Sequence, residues 1–387
     1  MRSVSIIGIG ETRLGKLAEY SLSDMIKEAG GKAIEDAGLE AKDIQAAYIG
    51  NFNGSYLNNQ SHLSAMVTET LGFGTIPVTR TEAACASGGE ALRQGFIGIL
   101  SGLYDIVLVG DVEKMTHQST GFVTAAVASA MDYEKEAMEG ITFPACFAMI
   151  ANRYFYEYRN VKKEMAMCAV NAHHNGCLNP DAQMQKEITI EKVMDADLIA
   201  SPLSLYDCSL VTDGAVFAVL AATEIAEKIS KKRIVEIVGS GHSGDKLTLY
   251  NKKNITTFSA TLAAAKEAYS QAGLQPDDID FAEVHDCFTI TQIINTEDLG
   301  FFEKGKGGDA VSDGTIAIDG KKPINPSGGL KAKGHAIGAT GISQIFELVT
   351  QIRGDAAARQ VKKSDIGIAH NLGGSAGTCV VHILKGR

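Results

Sequence analysis

Tryptophan is absent, proline is scarce and no two cysteines stand in a C-x-x-C pair. The seven cysteines (Cys85, Cys146, Cys168, Cys177, Cys208, Cys287 and Cys379) are odd in number and scattered. That pattern argues against a disulfide framework or a structural zinc site and for reduced thiols in a cytoplasm. Basic residues show no excess: the formal net charge is −10, which speaks against a nucleic-acid or anionic-membrane surface. No apolar run approaches the length of a membrane span, and the N-terminus lacks a basic region followed by an apolar core. Only 7 prolines stand against 41 glycines, a balance that suits a compact α/β protein with many tight strand–helix turns.

What is present is a chain of 387 residues, 45% hydrophobic and 21% charged. It is long enough for two domains or one duplicated unit. An internal echo favours duplication. Residues 32–49 run parallel to residues 267–284, with Ala37-Gly38-Leu39 over Ala272-Gly273-Leu274 and Asp43-Ile44 over Asp278-Ile279. Each copy reads as a helix ended by glycine, a polar turn and a strand. A second echo lays Tyr104–Val109 over Ser364–Ala369, and each half closes on an apolar strand, Ala215–Ala222 and Thr378–Leu384. Alternating strands and helices predict a layered α/β architecture. The N-terminal half then comprises residues 1–116 and 203–230, and the C-terminal half residues 231–387. Residues 117–202 have no counterpart and read as a helical insertion, a natural lid.

Chemistry gathers at four places. Cys85 sits in Glu82–Gly89, between a strand-like run Ile76–Thr81 and a helix expected from about Glu90 to Ser101. A thiol at a helix N-terminus is favoured as thiolate, although a packed structural cysteine is the commoner fate. The second place is Glu283-Val284-His285-Asp286-Cys287-Phe288, where a strand gives way to a helix. The third is the glycine-bearing loop Asn325–Gly341 around His335, and the fourth is His370-Asn371-Leu372-Gly373-Gly374.

With these four motifs in order over nearly the whole length, the chain resembles a thiolase. The resemblance implies an α/β fold of five layers, α-β-α-β-α, built from two similar halves. Within the superfamily it resembles sterol-carrier-protein-type and archaeal acetoacetyl-CoA thiolases more than the bacterial biosynthetic ones. His285-Asp286-Cys287-Phe288 replaces the usual Asn-Glu-Ala-Phe, and Asn371 stands where a second catalytic cysteine is usual. Ala336 follows His335 where proline is usual. The implied activity is acetyl-CoA C-acetyltransferase, at the head of mevalonate synthesis. Cys85 would carry the acyl group and His335 take its proton. Cys287, as a thiolate of neutral-range pKa, would remove the substrate methyl proton. His285 would stabilise the enolate oxygen, and the backbone N–H groups of Cys85 and Gly373 the acyl-enzyme oxyanion.

No metal or cofactor is expected beyond the coenzyme A thioesters that are substrates. The family further implies a homodimer or homotetramer, and association with 3-hydroxy-3-methylglutaryl-CoA synthase and a small OB-fold, zinc-ribbon protein. Lys246, near Lys252 and Lys253, and Ser259 are weaker candidates for contacts to coenzyme A. Gly8-Ile9-Gly10 lacks the third glycine of a dinucleotide fingerprint, and His173-His174 has poor spacing for a metal. Competing readings are a degradative thiolase of longer chain preference, a decarboxylating ketoacyl synthase and an inactive thiolase-like scaffold.

Overall fold

The structure, a computed structural model, describes residues 2–387. Its strands are β1 (Val4–Glu11), β2 (Ala46–Gly50), β3 (Val78–Thr81), β4 (Ile106–Glu113), β5 (Leu198–Ala200), β6 (Leu203–Ser204), β7 (Gly214–Ala222), β8 (Val235–Gly244), β9 (Phe281–Val284), β10 (Ile366–Gly373) and β11 (Thr378–Gly386). Nine of them form one sheet in the order β3-β2-β4-β7-β1-β8-β11-β10-β9, and β5 and β6 form a separate hairpin.

That order is a palindrome of two half-sheets. In the first half β2 runs parallel to β3 and β4, and β7 returns antiparallel between β4 and β1. In the second, β9 runs parallel to β10, and β11 returns antiparallel between β10 and β8. An isolated bridge from Ala282 to Ile324 stands where the first half has β3. The halves meet at β1 and β8 through only two pairs, Ser5 with Glu236 and Ile6 with Val235.

Helices complete the five layers. Helix Leu22–Asp36 lies on β1 and β7, and helix Ser259–Ala272 on β8 and β11. Helices Ser87–Leu100 and Thr340–Arg353 pack on one another and on strands of both halves, which makes them the middle layer. The echo seen in the sequence is therefore structural. Gly38 and Gly273 both take left-handed φ values, +69° and +64°, just past the ends of equivalent helices.

Gly8 and Gly10 owe their identity to packing. A Cβ at either would lie 2.2 Å from a carbonyl oxygen of helix Leu22–Asp36, Ala33 O and Ala29 O respectively. The second half repeats the device: at Gly239 and Gly241 a Cβ would stand 2.3 Å from Ala268 O and 1.9 Å from Ala264 O. A pair of glycines one residue apart thus lets the helix of each half lie directly on its strand.

Residues 117–202 are mostly helical, with helices Thr120–Ala128, Phe143–Glu157, Lys162–Cys177 and Ile190–Met194. Helix Thr120–Ala128 packs on the first half, beside Phe52 and Leu57, whereas the two long helices pack on the second. Helices Phe143–Glu157 and Lys162–Cys177 both contact helix Thr289–Asp298, and Tyr154 Oη donates to Glu297 Oε1 at 2.5 Å. A buried ion pair joins the halves again, Lys333 Nζ to Glu11 Oε1 at 3.0 Å, two residues before His335.

Substituting Gly241→Ala is expected to cost about 3 kcal/mol, because backbone rather than a flexible side chain must yield. Gly31→Ala, in the interior of helix Leu22–Asp36 with nothing within 4 Å of its new methyl group, is expected to gain roughly 0.5–1 kcal/mol. Urea unfolding of both variants checks the pair; equal stabilities would contradict the packing account.

Candidate active site

The nucleophile turn is built by local bonds. After β3 the chain reverses at Ala84, whose φ of +50° is rare for a side-chain-bearing residue. Ser87 holds this strained turn closed: its Oγ accepts from the Ala83 N–H at 3.0 Å and donates to Ala84 O at 2.6 Å. The helix starts at Ser87, three residues earlier than the sequence suggested, because Gly88 and Gly89 are helical and buried. Cys85 therefore stands two residues before the first helical turn.

Helix Thr340–Arg353 is the counterpart in the other half, and His335 lies just before it. The two helix N-termini touch backbone to backbone. A Cβ at Gly88 would lie 2.7 Å from Gly338 O, and one at Gly341 would lie 2.2 Å from Gly89 N. This approach brings the sulfur of Cys85 and ring nitrogens of His285 and His335 within 4.8 Å of one another. The rings of His285 and His335 stand edge to face, 5.3 Å between centroids. Cys287 lines the same cavity, which measures about 170 Å³. The remaining wall is apolar and comes largely from the insertion, with Val123, Phe143 and Phe147. Phe147 in turn stacks on Phe288, 4.7 Å between centroids.

Burial sets the protonation states. Removal from water pushes the Cys85 thiol up to about 12, against the pull of the Gly374 backbone N–H, while the carboxylate of Glu113 raises it further. Cys287 is also raised well above the ordinary thiol range, first by burial and then by Cys85. His335 is pushed down to about 3 by burial alone, and His285 well below its usual value by burial and by the neighbouring imidazoles of His335 and His370. The resting site holds two thiols and two neutral imidazoles. This corrects the expectations of a helix-stabilised thiolate at Cys85 and of a neutral-range pKa at Cys287: desolvation outweighs the helix N-terminus.

Hydrogen bonds orient the imidazoles. His335 is fixed by its backbone N–H donating to Thr212 Oγ1 at 2.9 Å and by Nδ1 pairing with Thr340 Oγ1 at 2.7 Å. With Nδ1 as donor to Thr340, Nε2 is left as a bare acceptor for a thiol proton. Ala336 has φ −76°, within the range of proline, so the loop keeps its shape without the ring. His285 is held through its carbonyl by Asn295 Nδ2 at 2.8 Å and through Nδ1 by Asn371 Nδ2 at 3.3 Å.

Two backbone N–H groups oppose the effect of burial on the Cys85 thiol, that of Gly374, at φ +59° on the cavity wall, and that of Cys85 itself. Gly373 presses against the nucleophile turn, where a Cβ would meet Ala83 O at 2.3 Å. Lys246 and Ser259 are exposed and neither lines the cavity. Lys252 is buried and structural, with Nζ bonded to Asp245, Lys246 O and Ala376 O. His173 is buried with Nδ1 against Lys186 O, while the exposed His174 pairs with Glu187. Cys146, Cys168 and Cys379 are packed in the core. Cys208, which no motif marked, lines the cavity beside Cys287; only its antiparallel bridge to Phe288 reveals this. As a donor set, Cys85, His285 and His335 would suit a soft ion such as zinc, at the expense of the nucleophile.

Comparison with known proteins agrees with this geometry. The family described as "Thiolase, N-terminal domain" matches residues 4–224, and "Thiolase C-terminal domain-like" matches residues 241–386. The chain belongs to the thiolase family. It is 46% identical to an acetyl-CoA acetyltransferase of Methanothermobacter thermautotrophicus, covering all of both chains. It is 44% identical to the acetyl-CoA acetyltransferase of Methanocaldococcus jannaschii, over 100% of this chain and 99% of that one. Human sterol carrier protein 2 is 31% identical over this whole chain and 72% of its own length. Among solved structures, the Ltp2-ChsH2(DUF35) aldolase superposes with a TM-score of 0.86 at 25% identity, covering 99% of this chain and 98% of that one. This thiolase is thus an acyltransferase, and the five-layered fold expected from its motifs is the one observed.

Because Cys85, half-buried on the cavity wall, rests as a thiol, its alkylation by iodoacetamide is expected to climb about tenfold per pH unit from pH 7 to 9 without levelling. Peptide mass spectrometry at Cys85 provides the rate. A plateau below pH 8 would show a resting thiolate and overturn the desolvation argument.

Proposed function

We propose that this thiolase catalyses the reversible Claisen condensation of two acetyl-CoA to acetoacetyl-CoA and free coenzyme A through an acetyl-Cys85 intermediate. The observation that carries the reading is the convergence of two thiols and two neutral imidazoles in one short apolar cavity.

The resting states dictate the proton path. As Cys85 Sγ attacks the first thioester, its proton passes to Nε2 of His335, and the C–S bond to coenzyme A breaks. The departing thiolate takes the proton of Cys287 and leaves as free coenzyme A. Cys287 is then the thiolate base that burial denies it at rest, and the new imidazolium of His335 offsets its charge. Cys287 next removes a methyl proton from the second acetyl-CoA, with the enolate oxygen facing Nε2–H of His285. The enolate carbon attacks acetyl-Cys85, and the thiolate of Cys85 leaves and recovers its proton from His335. Every group returns to its starting state. Acyl transfer and proton movement are all carried by sulfur and imidazole, so the reading calls for no metal or cofactor.

Cavity size supports a short acyl group. An apolar cavity of roughly 150 Å³ accepts a benzene-sized guest, and an acetoacetyl group likewise has six heavy atoms. The cavity of about 170 Å³ matches it, whereas longer chains would have to displace Phe143 and Phe147 of the insertion. A role at the head of mevalonate synthesis, a cytoplasmic location and a homo-oligomeric state belong to the same proposal, supported by the likeness to archaeal acetyl-CoA acetyltransferases. The DUF35 component of the Ltp2-ChsH2(DUF35) aldolase fits a small companion protein, and 3-hydroxy-3-methylglutaryl-CoA synthase is proposed as a further partner. No helix among the described residues is long and apolar enough to cross a membrane.

Intact mass after mixing with acetyl-CoA is expected to show one acetyl group on the wild type and on Cys287→Ala, and none on Cys85→Ala. Cys287→Ala should nonetheless lose at least ~10²-fold in condensation; a condensation rate near wild type would favour the decarboxylating-synthase chemistry instead. In thiolysis of 3-ketoacyl-CoA substrates, kcat/KM should peak at four carbons. A maximum at eight or more would remove the short-chain assignment.

A further inference from the structure

Asn371 occupies the position from which a second catalytic cysteine would ordinarily act, and the reaction path above leaves it unused. Its side chain is buried, at the end of β10, directly between the two catalytic motifs. Nδ2 donates to Cys85 O at 3.0 Å and lies 3.3 Å from His285 Nδ1.

The first of these contacts orients the amide. A carbonyl oxygen can only accept, so the atom facing Cys85 O must be the NH₂ nitrogen. Its second hydrogen then points at Nδ1 of His285, which must accept and therefore carries no proton. A neutral imidazole that accepts at Nδ1 is protonated at Nε2. Two further bonds place the neighbouring histidine consistently. The His285 backbone N–H donates to His370 Nδ1 at 3.4 Å, and His370 Nε2, left as the protonated nitrogen, meets Thr261 Oγ1 at 3.0 Å. Packing fixes the amide from behind, since a Cβ at Gly89 or Gly341 would come within 2.9 or 2.4 Å of Asn371 Oδ1. Substituting cysteine at 371 would supply at most one weak S–H donor in place of the two amide hydrogens.

We propose that Asn371 is a positioning residue that locks His285 in the Nε2–H tautomer, so that its one ring proton faces the cavity as a hydrogen-bond donor to the enolate oxygen. The same amide ties the nucleophile turn to that ring, setting donor and acyl carrier at a fixed separation.

This inference rests on the enolate-donor role given to His285, and the test separates the two. The whole enzyme is labelled with ¹⁵N-histidine, and the His285 signals are identified by their loss in His285→Phe. In the wild type Nε2 should be protonated and Nδ1 bare. Asn371→Asp should shift the proton to Nδ1 or protonate both nitrogens, and Asn371→Ala should give a mixture. A wild-type Nδ1–H tautomer, or a tautomer unchanged in both variants, overturns the lock.

In kinetics, Asn371→Asp should lower kcat for thiolysis roughly 10²-fold with little change in KM, as for loss of one oxyanion donor. Acetylation of Cys85 by acetyl-CoA should persist. In the His285→Phe background the same substitution should have less than about a twofold effect. An undiminished loss in that background would mean that Asn371 acts through Cys85 alone, and the proposal fails. If instead His285→Phe leaves kcat unchanged while the tautomer shift is seen, the enolate-donor reading falls and the lock stands.

Discussion

The reaction centre depends on a contact that only glycine permits. Helices Ser87–Leu100 and Thr340–Arg353 are equivalent elements of the two halves, and their N-termini meet backbone to backbone at Gly88, Gly89, Gly338 and Gly341. Any side chain there would separate the helices, and with them Cys85 from His335. The rest of the architecture serves this approach. Glycine pairs on β1 and β8 bring the outer helices down onto their strands, and the Lys333–Glu11 pair fastens the His335 loop to the opposite half. Duplication provides the geometry: a fold with one helix N-terminus in each half can bring two different residues to one point.

Dryness is the second constraint. The same packing that joins the helices removes the thiols and imidazoles from water, so that neutral forms prevail in the resting site. Neither sulfur is primed as a thiolate. In the proposed cycle charge appears only as substrate bonds break, and each step leaves the next group in the protonation state it needs. Hydrogen-bond acceptors and donors already in place (Thr340 on His335, Asn371 on His285) decide which nitrogen faces the cavity, so little reorganisation accompanies the chemistry. The insertion closes this volume with helices packed on both halves, and Phe143 and Phe147 form part of its wall.

Much of this was legible along the chain. The echoes around Gly38 and Gly273 mark equivalent helix ends because a left-handed residue is needed at each, and glycine meets that need whatever surrounds it. The motifs around Cys85, His285, Cys287 and His335 were readable as candidates from their residue types, and the fold brings all four to one cavity. Less was legible where long-range packing decides. Gly8-Ile9-Gly10 has a packing role visible only against the carbonyls of helix Leu22–Asp36. The helix after Cys85 begins at Ser87 rather than near Glu90, since tertiary burial overrides the poor helix propensity of two glycines. Cys208 enters the cavity through a single bridge to Phe288, and Ser259 and Lys246 stay outside it.

Periodicity and turn chemistry are properties of neighbouring residues, so the order of amino acids suffices for the duplicated α/β plan, the candidate reacting groups and the thiolase kinship. Folding in three dimensions sets the rest: the protonation of those groups, the direction in which each imidazole presents its proton, and the approach of the Gly374 backbone N–H to the Cys85 thiol. Those properties arise from desolvation and from hydrogen bonds between residues hundreds of positions apart, such as Cys85 and Asn371, and no local pattern encodes them.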